Sequence, residues 1–230
     1  MAKRKHNINY YFTVEGETER WYLLWLQKQI NNEANAKHTV TLDCPIQKNP
    51  LKRAKSLIVT GKTVITHICD YESDEEVHTT QFQYTLDAMK KSESLGKQIK
   101  YKLGYSNFTF ELWMVLHKID CNGSLTHRRN YLAPINRAYN ENFENLDQYK
   151  HEANFKRILN KIALSDVRNA ITRSKGIIKR NEENSYTLHQ YKGYKYYREN
   201  PSLAICFCPD FTERMKKYAG SNPSASTELM

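Results

Sequence analysis

Long apolar runs are missing from this sequence. None approaches the roughly 20 consecutive apolar residues that a transmembrane helix needs, and the basic opening MAKRKHNINYYF does not continue into the apolar segment of a signal peptide. A membrane-spanning or secreted protein is therefore not expected. We predict a cytoplasmic protein that makes no contact with a membrane.

Cysteine and glycine are also scarce. The cysteines are scattered, odd in number and without the paired two-residue spacing of a zinc ribbon, so we expect core thiols and no zinc site. The cysteines are Cys44, Cys69, Cys121, Cys206 and Cys208. The glycines form no phosphate-binding loop followed by Lys and Ser or Thr, which argues against a phosphotransfer enzyme acting on small phosphorylated molecules.

Positive charge and tyrosine, by contrast, are abundant. The chain of 230 residues carries a formal net charge of +10 and 16 tyrosines. This charge attracts polyanions, which favours a nucleic-acid partner, although charge alone defines no chemistry. The length suits one compact domain, or a domain with an appended subdomain, that buries a substantial core.

Strand and helix signals alternate through the first half of the sequence. Short β-branched and aromatic runs are each followed by a stretch with helical spacing of apolar residues. The predicted strands cover residues 8–14, 38–44, 63–70 and 97–106, and the predicted helices cover residues 18–30, 49–61, 74–94 and 108–119. Such alternation predicts an α/β fold with a mostly parallel sheet and helices on both faces.

The pattern changes after residue 120. The following segment is mostly helical and basic, and it leads into the tyrosine-rich stretch SYTLHQYKGYKYYREN, for which we predict irregular structure. Small polar residues dominate residues 220–230, which predicts a flexible tail. We therefore divide the chain into an α/β core (1–120), a helical, basic C-terminal extension packed on that core (121–219) and the tail (220–230).

Carboxylates stand at the ends of two predicted strands. Glu15 directly follows the first strand, Asp70 closes the third, and Glu72 has the two-residue spacing from Asp70 that points both side chains the same way. In an open parallel sheet, ligands bind beyond the carboxyl ends of the strands. Carboxylates that meet there repel each other unless a cation is present, and Mg2+ prefers oxygen ligands of this kind. Glu15, Asp70 and Glu72 are therefore our candidate metal ligands.

A second interpretation of the acidic residues requires no metal. Carboxylates are frequent at helix starts, and Glu17 and Glu19 in the first turn of the predicted helix interact favourably with its dipole. The segment DYESDEE, residues 70–76, also suits a solvated acidic turn. Spacing alone leaves both interpretations open, and it assigns Glu17 and Glu19 mainly to the start of the helix.

Three segments together resemble a known family. FTVEGETERWYLLWL (residues 12–26) resembles the first motif of the TOPRIM domain, a strand ending in glutamate that is followed by glycine and a helix. ICDYES (68–73) resembles the second TOPRIM motif, Asp-x-Asp after a later strand. SNFTFELWMVLHK (106–118) resembles the Ser-Asn-Pro-x-Phe-Glu-x-Trp-x-x-x-His segment of RloB-like proteins, and RENPSLAICF (198–207) is similar to their carboxyl-terminal Asn-Pro-Ser segment.

The sequence departs from the family pattern at two positions. The second motif has Glu72 in place of aspartate, which keeps a carboxylate and lengthens its reach by one methylene group, so it remains compatible with Mg2+. Phe108 stands where the family has proline, and we expect this change to affect only the turn into the following helix.

The resemblance implies a TOPRIM-like nuclease of restriction and phage-defence loci. It implies that Glu15 and Asp70 are the leading ligands of Mg2+ or Mn2+, with Glu72 as an auxiliary ligand. Glu15 has the alternative role of a general acid or base, as proposed for the first glutamate of TOPRIM enzymes that break phosphodiesters. Glu111, which is costly in an apolar helix unless paired or metal-bound, and His117 complete the catalytic candidates. His117 lies off the helical face of Glu111, so a core or surface histidine is the alternative to proton transfer or phosphate contact.

Basic residues of the C-terminal half are the candidates for nucleic-acid contacts. Rings interleave with cations in YKGYKYYRE (191–199), as in proteins that stack bases on aromatic side chains. A solvated basic helix with tyrosines packed on the core explains the same pattern. The candidates are Lys175, Lys179, Arg180, Lys192, Lys195 and Arg198.

Together with these patterns, the resemblance implies a metal-dependent endonuclease of antiviral defence that cleaves phosphodiester bonds of nucleic acid. RNA is slightly favoured over DNA, because the sequence shows no ATPase or duplex-opening module. The alternative is a non-catalytic subunit of a defence system that binds nucleic acid or a partner protein. A partner defence protein is compatible with both hypotheses, and the oligomeric state, including a homodimer, is left open.

Overall fold

A computed structural model describes residues 5–34, 36, 38–123 and 125–205 of the chain. Four strands form one sheet in which every neighbouring pair is parallel. They are β1 (His6–Val14), β2 (His38–Asp43), β3 (Thr63–Tyr71) and β4 (Ile99–Asn107), and their order across the sheet is β2-β1-β3-β4. The predicted α/β fold with a mostly parallel sheet is confirmed.

Helices connect the strands and dominate the part of the chain that follows them. In chain order they are α1 (Glu17–Asn32), α2 (Pro50–Ser56), α3 (Glu76–Ser92), α4 (Glu111–Leu116), α5 (Leu132–Tyr139), α6 (Leu146–Lys150), α7 (Glu152–Leu159) and α8 (Leu164–Glu183). A 3-10 turn, Arg128–Tyr131, precedes α5. An antiparallel hairpin of β5 (Leu188–Tyr191) and β6 (Tyr194–Tyr197) follows α8.

The central strands are buried on both faces of the sheet. Side chains alternate along β1 and β3, so that Phe12, Val14 and Ile68 join the apolar core that includes α1 and α4, while Ile65 and Cys69 join the core that includes α3. Helices therefore cover both faces, as the alternating sequence pattern predicted. Burial of both faces is typical of parallel sheets.

The strand order reverses between β1 and β3. From β1 the chain moves to β2 on one side, then crosses to β3 on the other side of β1 and continues to β4. The carboxyl end of β1 leads into α1 and that of β3 leads into α3, and these helices pack on opposite faces. The carboxyl ends of β1 and β3 meet at this reversal. This is the place where open α/β sheets bind ligands in a crevice, and we call it the crevice.

The helical extension encloses α4. Apolar side chains from α5, α6, α7 and α8 belong to the same buried cluster as those of β1, α1 and α4. The Tyr139 hydroxyl donates to the carbonyl oxygen of Met114 at 2.7 Å, and Arg173 Nη1 donates to that of Leu116 at 2.8 Å. These bonds hold α4 between the sheet and the extension, at the edge of the crevice.

The tyrosine-rich stretch is a β-hairpin, so the prediction of irregular structure there is wrong. Tyr196 is buried and packs against Phe82 of α3, with ring centroids 4.9 Å apart. Lys192 and Gly193 form the turn, with φ of 53° and 91°. Positive φ at both central residues is what a tight hairpin turn needs, because it matches the twist of the two strands.

Several sequence predictions concern thiols and termini. Cys44, Cys69 and Cys121 are buried and free, which confirms the prediction of core thiols for these three. Cys206, Cys208 and the tail 220–230 lie outside the described residues.

In the part of the chain that the structure describes, no helix combines the length and apolar character needed to cross a membrane.

Candidate active site

Glu15 lies at the crevice between β1 and β3. It directly follows β1, and its Oε2 accepts a hydrogen bond from the backbone N–H of Asp70 near the end of β3, at 3.4 Å. Burial raises the pKa of the Glu15 carboxyl to about 7, while the bond from Asp70 opposes this shift and the charge of Glu19 adds to it. A carboxyl with such a pKa gains and loses protons readily at neutral pH.

Further carboxylates act electrostatically on Asp70. Burial raises the pKa of Asp70 well above its usual range, and the negative charges of Glu19, Glu111 and Glu15 raise it further. Asp70 comes from β3, Glu19 from α1 and Glu111 from α4, so three elements converge on the crevice. We call Glu15, Glu19, Asp70 and Glu111 the carboxylate cluster.

Glu19 belongs to this cluster, so its assignment mainly to the helix start is wrong. The residue is only 6% exposed, and its Oε2 accepts a hydrogen bond from Thr18 Oγ1 at 2.8 Å. A Cβ added to Gly16 would lie 3.0 Å from Glu19 Oε2. Glycine at position 16 therefore leaves the space that the Glu19 carboxylate occupies. Glu17, by contrast, is exposed and pairs with Arg20, as a residue at the start of a helix does.

Glu111 is the first residue of α4 and is fully buried. Thr109 Oγ1 donates a hydrogen bond to its Oε2, and Lys150 Nζ lies 3.1 Å from its Oε1. The expectation that a glutamate in this apolar helix must be paired is confirmed by these contacts. The position of Glu111 depends on the preceding turn, in which Phe108 has φ of 62° and its N–H donates to the carbonyl oxygen of Tyr71 at 2.8 Å.

Lys150, at the end of α6, supplies positive charge to the cluster. Burial alone would lower the pKa of its ammonium group, but the charges of Glu111, Asp70 and Glu19 raise it. Lys150 in turn lowers the pKa of Asp70 and Glu19. The lysine therefore stays protonated and offsets part of the repulsion among the carboxylates.

The segment at residues 198–204 packs directly against the strand that leads into α4. Asn107 donates from its N–H to the carbonyl oxygen of Ser202 at 2.8 Å and from Nδ2 to that of Arg198 at 2.6 Å. Asn200 Nδ2 donates to Tyr131 Oη at 2.8 Å and to Asn107 Oδ1 at 3.3 Å. Two segments that resemble family motifs, far apart in the sequence, are thus neighbours beside Glu111.

Glu72 and His117 are not brought into the cluster. Glu72 is exposed at the rim, where its Oε2 lies 3.2 Å from His78 Nε2 and 3.9 Å from Arg128 Nη1. Its charge contributes to the raised pKa of Glu15, so it remains near the crevice. The alternation that was expected to align Glu72 with Asp70 does not hold because β3 ends at Tyr71.

His117 lies in the apolar core. Its Nδ1 is 2.9 Å from the carbonyl oxygen of Trp113, and its Nε2 is 3.0 Å from Tyr22 Oη. Because a carbonyl only accepts, Nδ1 carries the proton and Nε2 accepts from Tyr22. Burial lowers the pKa of His117 to about 4, so it is a neutral packing residue at physiological pH and the geometry does not support a catalytic role.

Three predicted nucleic-acid residues, Lys192, Lys195 and Arg198, lie on the hairpin or directly after it. Lys192 and Arg198 are at opposite ends of the sheet. A cavity of about 470 Å3 is lined by Lys192 together with Ile99 and Lys100 from the first residues of β4. Lys192 is thus at the end of the sheet opposite to the carboxylate cluster. Lys195 is exposed on β6, and the backbone carbonyl of Arg198 contacts Asn107 beside the cluster.

The other predicted nucleic-acid residues lie on α8. Lys175 and Lys179 are exposed, and Lys179 Nζ is 3.6 Å from Glu183 within the same helix. Arg180 is half-buried and donates to Asn122 Oδ1. The six residues are therefore spread over separate surfaces of the molecule.

A groove beside the carboxylate cluster presents a different set of cations. It has a volume of about 460 Å3 and runs between the 3-10 turn and α6. Its lining residues are Arg128, Arg129, Leu132, Glu144, Asn145, Leu146, Asp147 and Lys150. Because Lys150 also pairs with Glu111, the groove adjoins the cluster, and we call it the α6 groove.

The cluster is compatible in donor type with a hard divalent cation. Within the described residues, no three His, Cys, Asp or Glu side chains are drawn together closely enough to form a ligand group on their own. Mg2+ uses one or two protein carboxylates, since waters and phosphates complete its octahedron, and Mn2+ accepts the same oxygen ligands. The buried, mutually repelling carboxylates of the cluster supply such oxygens.

Sequence reasoning missed Glu19, Lys150 and the two arginines of the α6 groove. A signal for Glu19 was present, because a glutamate three positions after Gly16 in the first helical turn can fold back over a residue without a side chain. Lys150 left no local signal, since its partner Glu111 lies on another element. Arg128 and Arg129 stood in a segment interpreted only as a loop.

Comparison with known proteins adds a family assignment. A family model described as RloB-like protein matches residues 10–203, which is most of the chain. No curated protein and no solved structure matches the sequence. The match includes the first three motifs and reaches into the segment that packs on Asn107.

Proposed function

The chain belongs to the RloB-like protein family, and from this membership we propose that it is a metal-dependent nuclease acting in restriction or phage defence. The family itself supports the coarser statement, a restriction- or defence-associated role. The nuclease activity is proposed from the site. The observation that carries it is the carboxylate cluster at the reversal of strand order, beside a groove that contains two arginines.

Two buried carboxylates, Glu19 and Glu111, and two half-buried ones, Glu15 and Asp70, at one crevice support a cation-dependent reaction. Burial and like charge both disfavour the ionised forms of Glu15, Glu19 and Asp70. Such an arrangement costs stability in the absence of a cation, so it favours a functional explanation over a structural one. Asp70 together with either Glu19 or Glu111 is the proposed pair of oxygen donors for Mg2+ or Mn2+, with waters and substrate phosphate completing the shell, and Glu15 is available for proton transfer.

The residues of the chain have separate roles in the proposed reaction. Mg2+ or Mn2+, held by Asp70 with Glu19 or Glu111, would polarise the scissile phosphate and lower the pKa of an attacking water. Glu15, whose carboxyl has a pKa of about 7 in the metal-free protein, can accept the proton of that water. Arg128 and Arg129, which line the α6 groove, are available to contact phosphate oxygens of the substrate. Thr109 and Thr18 orient Glu111 and Glu19 through their hydrogen bonds.

Cleavage of labelled nucleic acid tests this proposal. Total RNA, single-stranded DNA and duplex DNA are each incubated with Mg2+, Mn2+ or EDTA, and wild type is compared with Glu15→Ala and Asp70→Ala. We expect metal-dependent products that fall by about 100-fold or more in both variants, since each removes a group of the reacting centre.

Glu17→Ala is the matched control, because Glu17 is an exposed glutamate on the same helix start. It should cut as wild type does. Absence of cleavage together with salt-sensitive binding that survives both site substitutions would contradict the nuclease proposal and favour a non-catalytic binding subunit.

A further inference from the structure

Lys150 connects the carboxylate cluster with the α6 groove. Its ammonium nitrogen is 3.1 Å from Glu111 Oε1, and the same side chain lines the groove beside Arg128 and Arg129. The Glu111 side chain is fully buried, whereas that of Lys150 is 40% exposed. The lysine therefore reaches from the open groove to a buried carboxylate.

The pairing with Glu111 is the single ion pair that Lys150 makes within the described part of the chain. Lys150 also acts electrostatically on Asp70 and Glu19. It thus neutralises the carboxylates that a divalent cation would neutralise. Two cations held by the same carboxylates repel each other, so a divalent ion and Lys150 compete for this place.

The α6 groove is electrically balanced while Lys150 is engaged. Arg128 and Arg129 contribute two positive charges to the lining, and Glu144 and Asp147 contribute two negative charges. A polyanion gains little electrostatic binding free energy from such a balanced surface. If the Lys150 ammonium turned from Glu111 toward the groove, the lining would carry a net positive charge.

Lysine is suited to such an exchange. Its ammonium group is a compact charge on a flexible stem of four carbons, and no fixed fork geometry ties it to one partner. Lys150 is the last residue of the five-residue helix α6. Rotation about its side-chain bonds moves the charge without moving the helix.

We propose that Lys150 is an exchangeable counter-ion, which pairs with Glu111 in the metal-free protein and turns into the α6 groove to bind a nucleic-acid phosphate when a divalent cation occupies the carboxylate cluster. The inference rests on the proposed function and assigns a further substrate-binding residue to it. It makes metal binding and nucleic-acid binding mutually supportive, because each favours the same position of Lys150.

Chemical acetylation of the wild-type protein tests the exchange directly. Lysine reactivity is mapped by mass spectrometry with and without Mn2+, whose binding is followed in the same samples by electron paramagnetic resonance. We expect Lys150 to become about threefold or more reactive with Mn2+, because it leaves its ion pair. Lys118, which pairs with Asp166 at 2.6 Å outside the cluster, is the internal control and should not change.

Variants of Lys150 provide a second, independent readout. Lys150→Gln removes the competing charge, so it should bind Mn2+ about fivefold more tightly than wild type. Lys150→Arg keeps the charge and should stay near wild type. Circular dichroism verifies that both variants fold. Mn2+ should also strengthen wild-type binding of a phosphorothioate oligonucleotide, and this gain should be lost in Lys150→Gln.

The outcomes separate this inference from the proposed function. The exchange is overturned if the wild type binds Mn2+ with no change in Lys150 reactivity. It is also overturned if Lys150→Gln folds and binds Mn2+ no more tightly than the wild type. Either result leaves the nuclease proposal intact. Wild type that binds no Mn2+ overturns both. The acetylation result needs no variant, so it decides the question even if Lys150→Gln fails to fold.

Discussion

The backbone N–H of Asp70 donates to Glu15 Oε2 at 3.4 Å, so the end of β3 holds the side chain that follows β1. These residues are 55 positions apart in the chain, but their strands are neighbours in the sheet. The contact lies where the strand order reverses. It brings two carboxylates into a partly buried place where their ionisation is unfavourable. The stability and the metal binding of the protein should therefore depend on them.

Stability should fall as pH rises between about 4.5 and 7. The pKa of Glu15 is about 7 in the folded protein and 4.5 as its ordinary value. Below this window the carboxyl is protonated in both states, and within it the unfolded chain has lost a proton that the folded protein keeps. The share of this loss that belongs to Glu15 amounts to roughly 3 kcal/mol and is complete above pH 7, and the raised pKa values of Asp70 and Glu19 add to the fall. Glu15→Gln should remove the Glu15 share in urea unfolding with EDTA.

The control for this pH dependence is Glu17→Gln, which changes an exposed glutamate two residues away. Its stability should follow the wild-type curve. Parallel curves for wild type and Glu15→Gln would mean that Glu15 titrates normally in the folded protein.

Gly16→Ala should weaken metal binding and cleavage without unfolding the protein. The new Cβ would lie 3.0 Å from Glu19 Oε2, so the carboxylate must shift away from its place in the cluster. We expect about a tenfold loss of Mn2+ affinity, measured by isothermal titration calorimetry, because ligand geometry is displaced. Gly61→Ala is the control, since nothing lies within 4 Å of a Cβ there. Equal Mn2+ affinities in the two variants would mean that the space left by Gly16 for the Glu19 carboxylate is not needed for metal binding.

Mn2+ or Mg2+ should raise the melting temperature of wild type through the cluster. At a free concentration 100-fold above the dissociation constant, binding to the folded state alone adds about 2.7 kcal/mol to stability. Asp70→Asn should lose this shift, as followed by differential scanning calorimetry. Asp43→Asn should keep it, because Asp43 ends β2 and pairs with Arg53 instead. A shift that survives Asp70→Asn would place the cation elsewhere.

Phe108→Pro should be strongly destabilising. Phe108 has φ of 62°, which proline cannot adopt, and its N–H donates to Tyr71 at 2.8 Å. We expect a loss of about 3 kcal/mol or more in chemical denaturation. Phe108→Ala keeps the N–H and should lose only roughly 1–2 kcal/mol of packing. If the proline variant is no less stable than the alanine variant, the turn has another conformation in solution.

Asn200→Ala should destabilise the protein and reduce cleavage together. The side chain accepts from Leu125 N–H at 2.9 Å and donates to Tyr131 and Asn107. Its removal leaves these partners unsatisfied, which costs roughly 2–4 kcal/mol in urea unfolding. Asn184→Ala, at an exposed asparagine, should cost less than about 1 kcal/mol. Similar losses of stability in both variants would mean that the hydrogen bonds of Asn200 contribute no more to stability than an exposed side chain does.

Much of the sheet and part of the site were predictable from local pattern. Alternating strand and helix signals gave the order of the first eight elements, and the residues that close β1 and β3 gave Glu15 and Asp70. Glu19 was misassigned because a first-turn glutamate satisfies the helix dipole equally well in water. The hairpin was missed because the alternation of tyrosines around Lys192 and Gly193 was interpreted as a nucleic-acid surface.

Long-range contacts account for what the sequence did not reveal. The pairing of Glu111 with Lys150 depends on how α6 packs beside α4, and no spacing along the chain encodes it. His117 was a candidate because of its motif, but the core around Tyr22 and Trp113 holds it away from the crevice. Family resemblance identified the segments, and tertiary structure decided which of their side chains meet.

The contacts of Asn107 with residues 198–202 also have a consequence for protein synthesis. The carbonyl groups of Arg198 and Ser202 and the side chain of Asn200 reach Asn107 only after nearly the whole described chain has left the ribosome. A nascent chain that has emerged only through the sheet has Glu15 and Asp70 but lacks both Lys150 and this support for α4. The contacts that support Glu111 and Lys150 beside the carboxylate cluster are therefore completed late in synthesis.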